Sequence, residues 1–177
     1  MNYPTIFPKL STERLTLRQV SFNDKRAIFK LRSNKEINKL ITRETPKNLN
    51  DADAFIQACL DNFETQSGIF WAIELQESAK IIGSINLYDI NSEDNSAKIS
   101  YELMPDYQKE GFMDQSMKTI LAFTQLTAEL KTIDAITHQN NSDAITLLEK
   151  NQFILQENKK EDLPEDNAIF RLDINQE

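Results

Sequence analysis

The sequence predicts a mixed α/β fold, with a central, mostly antiparallel, twisted sheet of about seven strands and helices on both faces. The hydrophobic period changes along the chain, from the spacing typical of amphipathic helices to the alternation typical of half-buried strands. Three short strand-like runs follow one another in the middle of the chain, separated only by polar turns, which indicates an antiparallel meander. A later strand–helix–strand unit indicates one right-handed crossover, and therefore one parallel pair of strands.

The first half of the chain supplies one strand and two helices. Residues 12–18 alternate between apolar and polar side chains, which predicts a half-buried strand. Ser21 and Asp24 stand three residues apart, as in a capping box, so a helix is expected to follow them. A polar stretch that contains Pro46 predicts a loop. Asn50 is then expected to cap a second helix, whose apolar residues return at helical spacing.

The second half contains the meander, the crossover unit and a final pair of strands. The crossover begins with the last strand of the meander, at residue 97, and ends with the strand that closes at residue 137. The predicted elements, in order, are strands at 70–75, 80–88 and 97–104, a helix at 111–126, a strand at 132–137, a helix at 141–151, and strands at 153–156 and 168–174.

Composition narrows the class of protein. The 177 residues fit one domain, here taken as 1–177, which can bury a core without disulfides. No apolar run approaches the ~20 residues of a membrane span, and no secretory signal is evident, so we expect a cytoplasmic protein that does not enter a membrane. A net charge of -8 disfavours nucleic-acid binding and leaves cationic partners open. Cys59 and His138 are the only Cys and His, so no zinc site is expected.

The most informative segment is residues 101–113, where a strand runs into a loop and then into a helix. Gly111, one of only 3 glycines in the chain, lies at the start of that helix. Backbone N–H groups in the first turn of a helix lack intrahelical partners, and the helix dipole is positive there, so an anion such as pyrophosphate would fit. Taken alone, the loop is better explained by a plain turn that requires one flexible residue.

Three motifs together carry a resemblance to a known family. Gln108-x-x-Gly111-x-Met113 resembles the Gln/Arg-x-x-Gly-x-Gly/Ala loop of the GNAT N-acetyltransferases. Residues 10–18, Leu-Ser-Thr-Glu-Arg-Leu-Thr-Leu-Arg, resemble the opening strand of the branch that contains the ribosomal-protein alanine acetyltransferases, the RimJ/RimL type. Asn141-x-x-Ala144, followed by Leu-Leu-Glu-Lys-Asn-Gln-Phe at 147–153, resembles the late helix of that family. The resemblance spans residues 10–153.

The resemblance implies a GNAT-like fold with one splayed parallel pair of strands and acetyl-CoA as the acetyl donor. It places the pantetheine arm along the backbone of Leu103 and Met104. Asn141 is implied to touch the same arm, although an N-cap role explains this residue equally well. The implied coenzyme contacts are Leu103, Met104, Gln108, Lys109, Glu110, Gly111, Phe112, Met113, Asn141 and Ala144.

The chain also departs from the family pattern. Lys109 and Glu110 stand where a Gly-Lys pair is usual, and Met113 replaces a small residue. A carboxylate ~4 Å from a diphosphate would be repelled by about 4 kcal/mol at an effective dielectric near 20, so Glu110 is expected to point into water while Lys109 offsets its charge. Leu148 stands where many GNAT enzymes carry the tyrosine that protonates the leaving thiolate.

Glu102 is the candidate general base, acting directly or through a water molecule. The resemblance implies that its strand borders the acetyl group. Glu102 could instead be an exposed strand carboxylate or the partner of a nearby Lys or Arg. His138 ends the strand before the late helix and is a less favoured base, because a polar strand end explains it as well. Tyr88 and Tyr101 could supply a proton to a thiolate.

The function implied is transfer of acetyl to a primary amine by direct attack in a ternary complex. At pH 7 an α-amine of pKa ~8 costs about 1.4 kcal/mol to deprotonate, and a lysine over about 4 kcal/mol, which favours a protein or peptide N-terminus. A small cationic amine, such as a polyamine or aminoglycoside, and a non-catalytic acyl-CoA-binding module remain open, as does a domain that binds no coenzyme. The substrate-facing residues 35–50 and 158–167 carry no readable specificity pattern, and either a monomer or a homodimer is compatible with the sequence.

Overall fold

The sheet of the computed structural model, which describes residues 2–41, 43–157, 164 and 166–174, has eight strands in the order β1-β2-β3-β4-β5-β6-β8-β7. All neighbours pair antiparallel except β5 and β6, which confirms the predicted mixed sheet. The extra strand is β1, whose two residues are too short to show a period. The strands are β1 (Leu10–Ser11), β2 (Leu15–Gln19), β3 (Ile69–Leu75), β4 (Ile81–Asn91), β5 (Ser96–Leu103), β6 (Thr132–His138), β7 (Ile154–Leu155) and β8 (Asn167–Asp173).

The α-helices are α1 (Lys25–Arg32), α2 (Leu49–Glu64), α3 (Phe112–Phe123) and α4 (Ser142–Lys150). The predicted cap of α2 is wrong, because Asn48 rather than Asn50 accepts hydrogen bonds from the first-turn N–H groups. Asn48 has the extended backbone that an N-cap requires, whereas Asn50 already lies inside the helix. Across the described residues, no helix is both long and apolar enough to cross a bilayer.

Helices cover both faces of the sheet, as the alternation of β3 shows. Trp71 and Ile73 belong to a large core cluster that includes Met117 of α3. Phe70 and Ala72, which point the other way, belong to a second cluster formed with α1 and α2. The predicted arrangement of helices on two faces is therefore confirmed.

The parallel pair opens into a cleft. Pairing between β5 and β6 begins at Ser96 and Thr132 and ends at Ile99 and Ala135. β5 nevertheless stays paired with β4 as far as Leu103, and β6 stays paired with β8 to its end. The two strands consequently diverge while each remains fixed to its other neighbour.

Gly83 of β4 allows an unusually close approach to β5. A β-carbon built at this position would lie 2.4 Å from the carbonyl oxygen of Glu102 and 2.8 Å from Cδ1 of Leu103. Real β-carbon contacts essentially never fall below 3 Å, so a side chain here would push the two strands apart. Gly83 therefore fixes how closely β4 holds the cleft end of β5.

Candidate active site

Two cavities meet where β5 and β6 diverge. The arginine cavity, of about 560 Å³, is named for Arg32 and Arg43 in its wall. The loop cavity, of about 500 Å³, lies beside the loop and first turn of α3 at residues 108–113. Both volumes fall in the range of small-molecule sites. Their shared lining residues are Leu40, Ile41, Tyr101, Glu102, Asn141 and Ala144.

The loop cavity contains the start of α3. Gly111 has φ +79°, the left-handed conformation that glycine adopts without strain. The first intrahelical bond runs from the N–H of Gln115 to the carbonyl of Gly111, at 3.0 Å. The N–H groups of Phe112, Met113 and Asp114 precede that bond and have no acceptor within the helix. This arrangement suits a bound phosphate or diphosphate.

Arg14 holds the same loop from the opening strand region. Its Nη2 donates a hydrogen bond to the carbonyl of Glu110 at 3.0 Å, and its guanidinium carbon lies 4.2 Å from the centre of the Phe112 ring. Gln108 adds a second anchor, since its Nε2 donates to the carbonyl of Leu103 at 2.9 Å. The sequence motif contains Arg14, but nothing in it indicates that the side chain reaches a loop so far along the chain.

Most of the predicted coenzyme residues come together. Met104 and Glu110 are absent from the lining: the N–H of Met104 donates to the carbonyl of Ile82 at 2.8 Å, and Glu110 is exposed, as its expected contact with water requires. Nζ of Lys109 lies 3.7 Å from Asp143, across the cavity mouth. The predicted residues that line the loop cavity are Glu102, Leu103, Gln108, Lys109, Gly111, Phe112, Met113, Asn141 and Ala144.

The backbone of β5 faces the cleft at alternate residues. The bond between Met104 and Ile82 fixes the phase of the antiparallel pairing with β4. In that phase the N–H and C=O groups of Tyr101 and Leu103 point away from β4 and toward the diverging strand β6. An extended ligand lying in the cleft could therefore pair with this strand edge.

Asn141 and Tyr101 close the junction on the side of α4. Oδ1 of Asn141 accepts a hydrogen bond from the N–H of Ala144 at 3.2 Å, so the N-cap interpretation is confirmed. The hydroxyl of Tyr101 donates to the carbonyl of Ala144 at 3.3 Å. Burial raises the pKa of Tyr101, so its hydroxyl keeps its proton at neutral pH.

Glu102 lies at the junction and is buried, with 9% of its surface exposed. Nη1 of Arg43 lies 2.7 Å from Oε2 of Glu102, while Nη1 of Arg32 lies 3.8 Å from Oε1. Ser84 donates to Oε1 at 3.4 Å. No described group donates to Oε2 at a favourable hydrogen-bond angle, so the contact with Arg43 is chiefly electrostatic. Glu102 is thus an arginine partner rather than an exposed strand carboxylate.

The two arginines differ in how they are held. Arg43 donates from Nε to Oδ1 of Asn38 at 2.9 Å and from Nη2 to the carbonyl of Arg32 at 3.3 Å. Arg32 instead stacks on Phe55, with its guanidinium carbon 3.7 Å from the ring centre. Burial and the charge of Arg43 both lower the pKa of Arg32 from its ordinary value.

Three other residues that the sequence singled out, His138, Cys59 and Leu148, also line the arginine cavity. Nδ1 of His138 accepts a hydrogen bond from the N–H of Asn140 at 3.1 Å, so the neutral ring carries its proton on Nε2. Burial raises the pKa of Cys59 to about 12, which keeps its thiol protonated and unreactive at neutral pH. Leu148, at the position where a tyrosine is usual, is fully buried in the core. Within the described residues no cluster of side chains suits a metal ion.

A family model for the acetyltransferase (GNAT) domain matches residues 14–154. The chain belongs to the GNAT acetyltransferase family. It is therefore an acetyl-CoA-dependent N-acetyltransferase, which confirms the enzyme class and the acetyl donor that the motifs predicted. The match covers the loop, the cleft and both sides of the junction, and it includes every described lining residue of the two cavities except Pro164 and Asn167.

Several known proteins are similar to this GNAT chain. YoaA of Bacillus subtilis (strain 168), named as an uncharacterized N-acetyltransferase, is 29% identical over 148 residues, which is 84% of each chain. The structure of RimL, a ribosomal L7/L12 alpha-N-protein acetyltransferase in complex with coenzyme A, superposes with a TM-score of 0.84 at 16% identity, covering 94% of this chain and 98% of the other. The ribosomal-protein-S5-alanine acetyltransferase from Vibrio fischeri has a TM-score of 0.82 at 16% identity, over 95% and 97% of the two chains. These two likenesses show the fold.

Proposed function

We propose that this enzyme acetylates the α-amine of a protein or peptide N-terminus by direct attack in a ternary complex. The observation that supports the proposal most is the position of Glu102, at the point where two separate cavities meet. One cavity can hold the coenzyme while the other holds the acceptor, so amine and thioester approach each other without a covalent enzyme intermediate.

The loop cavity fits acetyl-CoA. In the proposed complex the pyrophosphate binds the first-turn N–H groups of α3, which Gly111 presents in its left-handed conformation. The pantetheine arm runs along the cleft-facing backbone of Tyr101 and Leu103, with Asn141 and Ala144 on the opposite side. The bound coenzyme supplies the thioester, and the protein orients it.

Glu102 is proposed to receive the amine proton through Oε1, directly or by way of a water molecule. Oε1 has longer contacts than Oε2, at 3.4 Å to Ser84 and 3.8 Å to Arg32, so it is the oxygen that an amine can reach. Tyr101 is the proposed proton donor to the leaving thiolate, because its hydroxyl lies at the junction of the two cavities.

The preference for an α-amine follows from the engagement of the proton acceptors. Glu102 faces Arg43, and Nδ1 of His138 accepts a backbone hydrogen bond. Such a site favours an amine that loses its proton easily, and an α-amine costs about 1.4 kcal/mol at pH 7 against over about 4 kcal/mol for a lysine. The two structural neighbours, which are named as acetyltransferases of ribosomal L7/L12 and of ribosomal protein S5, support a protein acceptor.

Two matched peptides test this proposal. One has a free N-terminus and no lysine, and the other has a blocked N-terminus and a single lysine. We expect kcat/KM at pH 7 to be at least about 100-fold higher for the free N-terminus. This ratio corresponds to a difference of about 2.7 kcal/mol between the deprotonation costs of a lysine and an α-amine. Equal turnover of both peptides would contradict the α-amine preference, and turnover of spermidine alone would reassign the acceptor to the small polyamines.

A further inference from the structure

The arginine cavity has the opposite charge to the chain that surrounds it. The protein carries a net charge of -8. Among the described residues, the charged side chains that line this cavity are nevertheless two guanidinium groups, Arg32 and Arg43, against the carboxylate of Glu102. His138, Tyr88, Tyr101 and Cys59 complete its titratable lining. An acceptor that enters this cavity therefore meets an excess of positive charge.

Arg43 is committed to partners within the protein. Its guanidinium faces Oε2 of Glu102 at 2.7 Å and donates to Asn38 and to the backbone of residue 32. Its side chain is 14% exposed. Because the carboxylate of Glu102 is paired with Arg43, the positive charge of Arg32 is left uncompensated.

The guanidinium N–H groups of Arg32 are available to a ligand. No described residue accepts a hydrogen bond from its guanidinium, and the nearest carboxylate oxygen, Oε1 of Glu102, is 3.8 Å away. The stack on Phe55 fixes the plane of the guanidinium, and its side chain remains 20% exposed. A fixed guanidinium that lines the cavity and has N–H donors without an acceptor among the described residues matches the planar fork that binds carboxylate and phosphate groups.

We propose that the acceptor carries an oxyanion close to its reacting amine, and that Arg32 binds this oxyanion while Glu102 faces the amine. This inference rests on the proposed function and names the class of acceptor that the site takes. Because Arg32 and Glu102 are adjacent, the two groups of the acceptor must lie a few ångströms apart. A free amino acid has that spacing, and so does a peptide whose first residue is Asp or Glu.

A purely structural role for Arg32 leads to a different expectation. If the side chain only packs on Phe55 and balances Glu102, its removal should weaken every acceptor alike. An oxyanion-binding role instead weakens only the acceptors that carry the anion, and it raises KM more than it lowers kcat. Pairs of acceptors that differ only in whether they carry the oxyanion can distinguish these two roles of Arg32.

The experiment compares peptides that begin with Asp or Asn, and free serine with serinamide, as acceptors for the full-length enzyme. We expect the wild type to favour the anionic member of at least one pair by about 10- to 100-fold in kcat/KM, the loss typical of one charge-assisted hydrogen bond. The first pair reports a peptide acceptor and the second a free amino acid. Arg32→Gln should abolish the preference through KM, and Arg32→Lys, which keeps the charge without the fork, should restore part of it.

Arg26→Gln is the matched control, because Arg26 is exposed on the same helix and its loss changes the net charge equally. It should leave the preference intact. Equal use of both members of each pair by the wild type would overturn the inference, as would a uniform loss across acceptors in Arg32→Gln. If no α-amine is acetylated, the proposed function fails, and the inference is then decided by binding: succinate, but not succinamide, should raise the melting temperature of the wild type and not of Arg32→Gln.

Discussion

The two cavities that meet at Glu102 are built in different ways. The loop cavity depends on backbone, since its proposed anion site consists of the first N–H groups of α3, which follow the left-handed Gly111. The arginine cavity depends on side chains, since Arg32, Arg43 and Glu102 come from α1, from the connection before α2 and from β5. A backbone site leaves a local motif in the sequence, whereas a side-chain site formed by distant segments leaves none.

The difference has consequences for substitution. A backbone site tolerates changes of side chain as long as the chain keeps its conformation, so Glu110 and Met113 can depart from the family pattern. Glu110 is exposed, so its carboxylate can point into water, and the side chain of Met113 carries no charge that would repel a phosphate. A side-chain site has no such tolerance, because the charged side chains themselves form the site.

The largest expected effect is at the junction. Glu102→Gln should lower turnover by about 10²- to 10⁴-fold, the range of general acid–base catalysis, with little change in acetyl-CoA affinity. The loss should shrink as the pH rises, because more of the amine then arrives deprotonated. Steady-state rates from pH 6 to about 9 measure it, with melting curves to show that the variant is folded.

Glu74→Gln is the control for that variant. Glu74 is also a strand carboxylate held by an arginine, at 2.7 Å from Arg18, but it lines neither cavity. Its substitution should leave the rate near that of the wild type. A fully active Glu102→Gln enzyme would remove the proposed base, and a slow enzyme with an unchanged pH profile would limit Glu102 to positioning the substrate.

An intermediate effect is expected at the loop. Gly111→Val places a β-branched residue at a positive φ, which costs about 1–3 kcal/mol, and the loop should relax away from the conformation that binds phosphate. We expect the Kd for acetyl-CoA to rise by about 10- to 100-fold while the protein stays folded. Gly111→Asn, which tolerates this conformation better, should fall between wild type and Val. Unchanged affinity in folded Gly111→Val, measured by calorimetry, would show that this loop does not hold the pyrophosphate.

The smallest effect concerns the contact between α3 and α4. Asp114 lies 2.9 Å from Lys150 and 3.0 Å from Lys118. Partial burial opposes ionisation, but hydrogen bonds from Lys150, Lys118 and Asn151 hold the pKa of Asp114 at about 2. Because this pKa is lower than the unfolded value near ~3.9, the stabilisation is present above that value and is lost as the pH falls through about 2.

Asp114→Asn should therefore lower the free energy of unfolding at pH 7 by at most about 1 kcal/mol, since solvent screens the contacts. The difference from the wild type should narrow between pH 4 and about 2. Urea unfolding at several pH values measures both effects. Glu149→Gln, an exposed carboxylate on α4, serves as the control, and a gap that stays constant with pH would contradict the assignment.

Much of the fold was predictable because most helices and strands show the hydrophobic spacing that is typical of their own type of secondary structure. The meander, the crossover and the loop before α3 all follow from patterns within about ten residues of one another. The cap of α2 was misplaced because Asn48 and Asn50 are chemically equivalent, and only the extended backbone at residue 48 distinguishes them. β1 was missed because two residues show no alternation.

The arginine cavity was not predictable in the same way. Arg43 lies in the segment 35–50, whose composition shows no specificity pattern, and its importance comes only from a contact with a strand far along the chain. Arg14 belongs to a recognisable motif, yet its bond to Glu110 is equally long-range. In the other segment that was expected to face the substrate, residues 158–163 and 165 lie outside the described residues, while Pro164 and Asn167 line the arginine cavity.

Gly83 determines how closely β4 and β5 approach each other beside the site. With no side chain at this position, β4 holds the carbonyl of Glu102 within 2.4 Å of where a β-carbon would stand. Even one added methyl group would have to displace β5 by a substantial fraction of an ångström. That strand carries both Glu102 and the cleft-facing backbone of Leu103, so the displacement would reach both cavities together. The alignment of the two proposed substrates therefore depends on the absence of a methyl group at residue 83.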